Sequence, residues 1–408
     1  MTPTVDRAPL KNASDVKLIA LVSIAHLISH YYILILPPLF TVIRADFGVS
    51  YTEIGLALTA FNILTVMLQT PAGFLVDRIG ARPVLIGGLL VGALALTGAA
   101  LLAPFWAFIT MFGLLGVGNA VYHPADYSLL SQHVSGSRMS RAYSAHTFAG
   151  MIGGAIAPVT LLVISASYGW RGAYLASAAF GFATAALLIL FGDALRENKP
   201  RARAEDLGQD VAEPVGWSLF LSAPILFNLV FFAFFALSNA GLQNYSVVAL
   251  DAMRGTPLSV ANAGLTAYLV MSAVGVLLGG GIATRVGQHA LVATAGLFVN
   301  AIVVLCIVLF DIGDAAMITM LALAGLALGV MMPSRDMLVR AVTPPGAFGK
   351  VFGFVTTGFN IGGMISPIVF GWMMDSGRPA WIFVAAALFS LASIPIVIAS
   401  AANPRPAR

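Results

Sequence analysis

The sequence has very little charge and a single cysteine. Asp, Glu, Lys and Arg make up 9% of its 408 residues, whereas a soluble domain carries charge on roughly a quarter of its residues. Such a chain cannot cover itself with polar surface, which excludes an ordinary soluble protein. Cys306 has no second cysteine to pair with, which excludes an intrachain disulfide and a thiolate metal centre. The sequence also lacks a Gly-x-x-x-x-Gly-Lys phosphate-binding loop, so ATP is not the expected energy source.

What the sequence has instead is long apolar stretches. Hydrophobic residues make up 59% of the chain, and the mean hydropathy is +0.93. Each stretch is long enough to cross a hydrocarbon core of about 30 Å as a helix. The net charge of +4 comes from basic residues scattered between these stretches, which excludes nucleic acid as a partner. The expected surroundings are therefore the lipid bilayer.

The apolar stretches predict an all-α integral membrane protein with twelve transmembrane helices. We place them at 17–43, 52–76, 83–103, 106–131, 142–165, 171–192, 217–248, 258–282, 289–311, 314–340, 346–374 and 379–402. The first stretch follows Lys11 and Lys17 but has no small-residue cleavage site. We interpret it as a membrane helix and not as a signal peptide.

The charged stretch 193–215 divides the chain into two halves. We predict a six-helix bundle over 1–192, a solvated linker over 193–215 and a second six-helix bundle over 216–408. Of the 21 Lys and Arg residues, 16 lie on the side of the N-terminus, 4 lie in loops on the other side, and Arg335 lies inside a span. Positive residues are retained in the cytoplasm, so both termini are predicted to be cytoplasmic.

The two halves repeat one another. At an offset of 209 residues, the fourth and fifth spans match the tenth and eleventh. The matches include Pro124 with Pro333, Gly153 with Gly362, Gly154 with Gly363 and Pro158 with Pro367. Parallel six-helix repeats place a substrate site near the bilayer midplane between the halves. The same offset pairs Asp126 with Arg335, and these opposite charges could form a gate between the halves.

The ionisable residues inside the spans are candidates for function, because each costs free energy in hydrocarbon and usually faces a cavity. They are His26, His30, His123, Asp126, His146, Arg335 and Asp336. His26 and His30 share one helix face, close to Tyr31 and Tyr32, which are candidates to bind substrate. They are either hydrogen-bonded packing residues or, most of all for His30, proton carriers facing a cavity. A metal site at this pair needs a third ligand, which the sequence does not indicate.

His123 and Asp126 also share one helix face. Asp126 could carry a coupling proton, or it could pair structurally with His123, His146 or an inner arginine. Arg335 and Asp336 are adjacent, so they point about 100° apart, and we expect them to have different partners. Arg335 is a candidate to bind an anionic substrate.

A short motif follows the second span: Gly73-Phe-Leu-Val-Asp77-Arg78-Ile-Gly80-Ala-Arg82. It resembles the signature loop of the major facilitator superfamily. The resemblance extends over the whole chain and implies two pseudo-symmetric bundles and alternating access. In this superfamily the first, fourth, seventh and tenth helices line the cavity. The resemblance therefore makes three amides of the seventh span candidates to bind substrate, namely Asn228, Asn239 and Gln243. The run Phe231, Phe232, Phe234 and Phe235 is expected to pack or face lipid.

Two further stretches are similar to a branch of that superfamily. Gly150 to Pro158, with Gly154 inside it, resembles the glycine-and-proline motif of drug:proton antiporters. The run Gly113 to Gly118, followed by Tyr122-His123-Pro124, resembles the fosmidomycin-resistance branch. Many antiporters have an arginine early in the fourth span, and here that region has none.

The resemblance and the buried residues support two functions. One is a proton-coupled exporter of small amphipathic or anionic compounds, and the other is a proton-linked importer of a small organic anion. A membrane enzyme is not expected, because no nucleophile with a base and an oxyanion site is evident. We expect a monomer without a cofactor, in the cytoplasmic membrane of a bacterium, whose partners are protons, lipid and a small molecule.

Overall fold

The computed structural model describes residues 13–134, 136–192, 219–343 and 348–402, and every regular element in these ranges is helical. Lipid offers no hydrogen-bond partner to a peptide group, so long apolar segments form helices that satisfy their own backbone. Eleven of the described helical segments are long and apolar enough to cross a membrane.

The structure describes seven helices in the first half. They are α1 (Ala13–Ile33), α2 (Phe40–Phe47), α3 (Tyr51–Ile79), α4 (Ala81–Leu101), α5 (Phe105–Asn119), α6 (Tyr122–His133) and α7 (Gly136–Phe191). A short 3₁₀ turn, Pro37–Leu39, joins α1 to α2 to make the first crossing. Helices α5 and α6 together make the fourth crossing.

Helix α7 contains two crossings and not one. Gly169 interrupts it with φ 67° and ψ 173°, values that lie outside the helical region. The hydroxyl of Tyr31 contacts both Thr160 and Ser177, at 3.0 and 3.3 Å. These two residues lie on either side of Gly169, so the chain turns back on itself there. The prediction of twelve transmembrane helices is therefore confirmed.

In the part of the second half that the structure describes there are also seven helices. They are α8 (Ala223–Ala240), α9 (Ser246–Arg254), α10 (Leu258–Val286), α11 (His289–Leu309), α12 (Asp314–Val342), α13 (Phe348–Asp375) and α14 (Ala380–Ala402). A π-helical turn, Gly241–Tyr245, joins α8 to α9 within the seventh crossing. The predicted linker 193–215 lies outside the described residues.

Equivalent glycines pack equivalent helices in the two halves. A Cβ atom on Gly153 of α7 would collide with the carbonyl of Leu27 of α1. A Cβ atom on Gly362 of α13 would lie 2.8 Å from the carbonyl of Ala233 of α8. Small residues allow such close approach of membrane helices. The repeat in the sequence therefore corresponds to the same packing of the fifth crossing on the first and of the eleventh on the seventh.

The two halves touch at one end of the bundle. We call the end where α1 begins the near side and the opposite end the far side. At the far side, the carboxylate of Asp375 accepts hydrogen bonds from the backbone of Tyr51 and Thr52. Towards the middle of α3, Asn62 Nδ2 donates to the carbonyl of Gly363 at 3.2 Å. These contacts lie between the far side and the middle of the bundle, whereas Tyr127 at the near side is 44% exposed. We interpret the near side as the open end of the cleft between the halves.

Candidate functional site

Three ionisable side chains from three helices meet inside the first half. His146 Nε2 of α7 lies 3.0 Å from Asp126 Oδ2 of α6, and His26 Nδ1 of α1 lies 3.4 Å from the same oxygen. Asp126 has no exposed surface, and His146 is 1% exposed. A buried carboxylate is costly unless it is paired and hydrogen-bonded. His146 hydrogen-bonds Oδ2, while His26 lies near the same oxygen without a hydrogen bond to it. The pairing of Asp126 with His146, one of the alternatives left by the sequence, is confirmed.

Two more histidines extend this group. The ring of His26 lies 4.6 Å from that of His30 and 5.5 Å from that of His123, between centroids. His123 is exposed and His30 is half-buried. We call the five residues His26, His30, His123, Asp126 and His146 the histidine–aspartate cluster. It extends from an exposed imidazole to a fully buried carboxylate.

A glycine makes room for the cluster. Gly150 follows His146 by one helical turn, and it faces the first crossing. A Cβ atom there would lie 2.6 Å from the ring of His26 and 2.9 Å from that of His30. The small residue lets α7 approach α1 closely enough for the ring of His146 to stack on that of His26. The sequence offered His146 as one possible partner of Asp126 but did not indicate that Gly150 makes room for it.

The cluster also raises the question of a metal. The candidate ligand atoms of His26, Asp126 and His146 lie within 4.8 Å of one another. This group differs from the His26–His30 pair considered in the sequence, because it does not include His30. The rings of His26 and His146 are stacked, however, with centroids 3.7 Å apart and planes 24° apart. Imidazole lone pairs lie in the ring plane, so these nitrogens do not converge on one ion about 2 Å away. The arrangement suits hydrogen bonding and proton exchange better than metal coordination.

A cavity of about 180 Å³ lies between the two halves. Two of the predicted substrate-binding residues, Asn239 and Gln243, line it. So do two amides that were not among the predicted substrate-binding residues, Asn62 and Asn244. Asn239 accepts a hydrogen bond from the Tyr268 hydroxyl at 2.7 Å, which orients its amide. The signal for Asn62 is an amide inside an apolar span, but it lies on the second span, which is not one of the four that the resemblance directs to the cavity.

Three other predicted substrate-binding residues do not line this cavity. Tyr31 is buried against Ser177, and Tyr32 donates to the carbonyl of the same serine at 3.0 Å. Asn228 donates to Ser400 Oγ at 2.8 Å, which ties the seventh crossing to the twelfth. Each of these side chains faces into its own half and is hydrogen-bonded there, so the structure does not bring them to the cavity.

Arg335 and Asp336 pair with each other. Arg335 Nε and Nη2 both lie 2.9 Å from Asp336 Oδ1. The expectation that these neighbours have different partners is wrong, because the long arginine side chain bends back around the helix. Among the described residues no ion pair joins Arg335 to Asp126, and each has a partner within its own half.

The guanidinium of Arg335 is also surrounded by aromatic rings. Its carbon lies 4.7 Å from the ring centroid of Phe232, 5.3 Å from that of Phe235 and 5.2 Å from that of Phe359. These distances are typical of cation–π contacts. Phe235 and Phe359 also line the cavity.

The signature loop has a structural role at the near side. Gly80 ends α3 with φ 95°, a value that favours glycine. Arg82 donates to the carbonyls of Leu188 and Ile189, where a cation stabilises the end of α7.

The other motif residues have varied surroundings. Arg78 is exposed, and the side chain of Asp77 lies outside the described part of the chain. A Cβ atom on Gly73 would have no neighbour within 4 Å, so this glycine is not a point of close helix approach. A Cβ atom on Gly154 would lie 3.3 Å from Leu34, and Pro158 is buried within α7.

Two halves of six crossings around a central cavity are typical of one transporter family. A family model described as Major Facilitator Superfamily matches residues 22–251 and 240–408. The chain belongs to this superfamily. It is therefore a multi-pass membrane transporter of small molecules and not an enzyme.

Two curated members of the superfamily are similar over most of their length. The chain is 24% identical over 355 residues to the fosmidomycin resistance protein of Escherichia coli K12, covering 84% of this chain and 83% of that protein. It is 24% identical over 355 residues to the probable sulfoacetate transporter SauU of Cupriavidus necator, covering 82% and 81%.

A solved structure confirms the fold. A bacterial homologue of the human lysosomal transporter Spinster, described as inward-facing and occupied, matches with a TM-score of 0.76. The match covers 96% of both chains at 14% identity. At this identity the match shows the arrangement of helices and nothing about substrate.

Proposed function

We propose that this transporter works by alternating access and couples substrate movement to protons through the histidine–aspartate cluster. The observation that carries the proposal is the buried Asp126, paired with His146 and close to His26. Buried charges interact strongly because the surroundings have a low dielectric. A proton gained or lost there changes the charge balance between three helices.

The cluster has the arrangement that a coupling site needs. His123 is exposed, so water in the cleft can exchange protons with it. Histidine changes charge near neutral pH, which suits a relay between water and a buried carboxylate. Because α1, α6 and α7 each contribute to the cluster, its protonation state can bias the equilibrium between two arrangements of the bundle.

We place both termini in the cytoplasm, on the basis of the distribution of Lys and Arg. The near side is then the cytoplasmic side. The structure, closed at the far side by Asp375 and open at the near side, corresponds to an inward-open state. The substrate site in this state is the cavity lined by Asn62, Asn239 and Gln243, between the halves.

The direction we favour is export of small amphipathic or anionic compounds in exchange for protons. Similarity to the fosmidomycin resistance protein supports it. The second candidate is uptake of a small organic anion together with protons. Arg335 close to the cavity and similarity to a probable sulfoacetate transporter favour this alternative.

Reconstitution into vesicles tests the proposal. Fosmidomycin and sulfoacetate are offered under an imposed pH gradient, and the movements of substrate and protons are recorded together. Opposite movements indicate the exporter, and movements in the same direction indicate the importer. Asp126→Asn should abolish proton-driven flux, while Asp311→Asn, an exposed carboxylate at the far side, serves as the matched control. Undiminished proton-driven flux in Asp126→Asn would contradict the proposal.

A further inference from the structure

Arg335 is the only buried lysine or arginine among the residues that the structure describes. It lies on α12, inside the second half. A buried cation is costly unless it is paired, and here the pairing comes from two sources. The carboxylate of Asp336 binds Nε and Nη2, and three phenylalanine rings contact the guanidinium. None of these partners belongs to the first half, so the charge of Arg335 is balanced entirely by residues of the second half.

The phenylalanine rings connect this cation to the cavity. Phe235 and Phe359 contact the guanidinium and also line the cavity. The rings of Phe235 and Phe359 therefore lie between the guanidinium of Arg335 and the cavity. The polar groups that line the cavity itself are neutral amides, and among the described lining residues there is no charged side chain.

The two members of the ion pair differ in their access to water. The side chain of Arg335 is 10% exposed, whereas that of Asp336 is 44% exposed. The carboxylate of Asp336 can therefore turn towards water at a small cost in free energy, while the guanidinium of Arg335 stays buried in the protein. The guanidinium of Arg335 presents two parallel N–H donors in one plane. A competing carboxylate could accept a hydrogen bond from each of them.

We propose that Arg335 binds the carboxylate of an aromatic organic anion, and that Asp336 is an internal counter-ion which this substrate displaces. Phe235 and Phe359 contact the aromatic ring of the substrate, because pairs of aromatic rings favour offset or edge-on packing. The carboxamides of Asn239 and Gln243 accept or donate to polar groups on the substrate ring. This inference rests on the proposed function in one respect, namely that the substrate is an organic anion.

Binding of benzoate to the purified transporter, followed by calorimetry, tests the counter-ion. Asp336→Asn keeps the shape but removes the competing charge. It should tighten benzoate binding by about fivefold, the scale of a partly exposed ion pair. Arg335→Gln should abolish binding. Asp314→Asn removes an exposed carboxylate from the first turn of the same helix and should leave benzoate binding unchanged.

A second pair of probes tests the aromatic contacts. Benzoate and cyclohexanecarboxylate carry the same charge and differ in whether the ring is aromatic. The wild type should prefer benzoate, and Phe359→Leu should remove that preference while keeping the site apolar. Phe389→Leu is the matched control, because Phe389 packs against Phe234 and not against Arg335.

Three results would overturn the inference. Failure of both the wild type and Asp336→Asn to bind benzoate at millimolar concentration would exclude the substrate class. Unchanged or weaker binding in Asp336→Asn, with binding lost in Arg335→Gln, would exclude the counter-ion. Equal affinity for the two ring types in the wild type would exclude the aromatic contact. Proton-driven flux in the Asp126 experiment is measured separately, so failure of coupling and failure of this site are distinguishable.

Discussion

Asp375 Oδ2 accepts hydrogen bonds from both the backbone N–H and the hydroxyl of Thr52, at 2.8 and 2.5 Å. Asp375 ends α13 in the second half, and Thr52 lies in the first turn of α3 in the first half. Asp375 Oδ1 accepts a third bond from the N–H of Tyr51 at 2.7 Å. The first N–H groups of a helix lack partners within it, and a negative charge there is favourable. Asp375 therefore caps a helix of the opposite half and holds the far side closed.

Removing this cap should open the far side more often. We expect Asp375→Ala to increase the reactivity of a cysteine at Thr59, which in the closed state bonds to the carbonyl of Met364. The measurement is the labelling rate with a polar maleimide on purified Cys306→Ser protein. The rate should rise severalfold. Asp375→Asn keeps one hydrogen-bond acceptor, so its labelling rate should lie between those of Asp375→Ala and the wild type.

Asp311→Ala is the control for this experiment, because Asp311 is an exposed carboxylate at the same side of the membrane. Labelling at position 59 that is equally slow with and without Asp375 would show that the cap does not govern closure.

The orientation of the chain predicts a labelling pattern in intact cells. In a Cys306→Ser background, a cysteine at position 311 should react with an impermeant thiol reagent added outside. A cysteine at position 205, in the linker, should react only after the membrane is permeabilised. The reason is that the predominantly basic side is retained in the cytoplasm. The reverse pattern would place both termini outside.

His30 should be needed for coupling more than for binding. Its ring is close to that of His26, and it is half-buried at the edge of the cluster. We expect His30→Ala to reduce flux driven by a pH gradient much more than it weakens substrate binding. His289→Ala, on α11 of the other half, controls for loss of a histidine. Full proton-driven flux in His30→Ala would remove it from the mechanism.

The close contact between α7 and α1 should be sensitive to a single methyl group. Gly153→Ala forces a Cβ atom against the carbonyl of Leu27. Overpacking of this kind costs about 1–3 kcal/mol, so the Tm in detergent should fall by several degrees. Gly280→Ala adds the same methyl group where nothing lies within 4 Å. Equal Tm values for the two variants would contradict the importance of this contact.

The number of crossings and their positions could be predicted from the sequence. An apolar run of sufficient length forms a helix in lipid whatever its neighbours are, because the backbone must satisfy its own hydrogen bonds. The spacing of His26 with His30, and of His123 with Asp126, also showed which side chains share a helix face. Both properties belong to a single helix, and local sequence determines them.

The partners of these side chains were decided only by the tertiary structure. Asp126 of α6 could have met an arginine, but in the folded structure it meets His146 of α7. Tyr31 and Asn228 lie on crossings that line the cavity, and yet their side chains face the interior of their own halves. Helical periodicity says which residues share a face, but it does not say how far each helix is rotated about its own axis. Packing against neighbouring helices sets that rotation, and it depends on residues distant in the sequence.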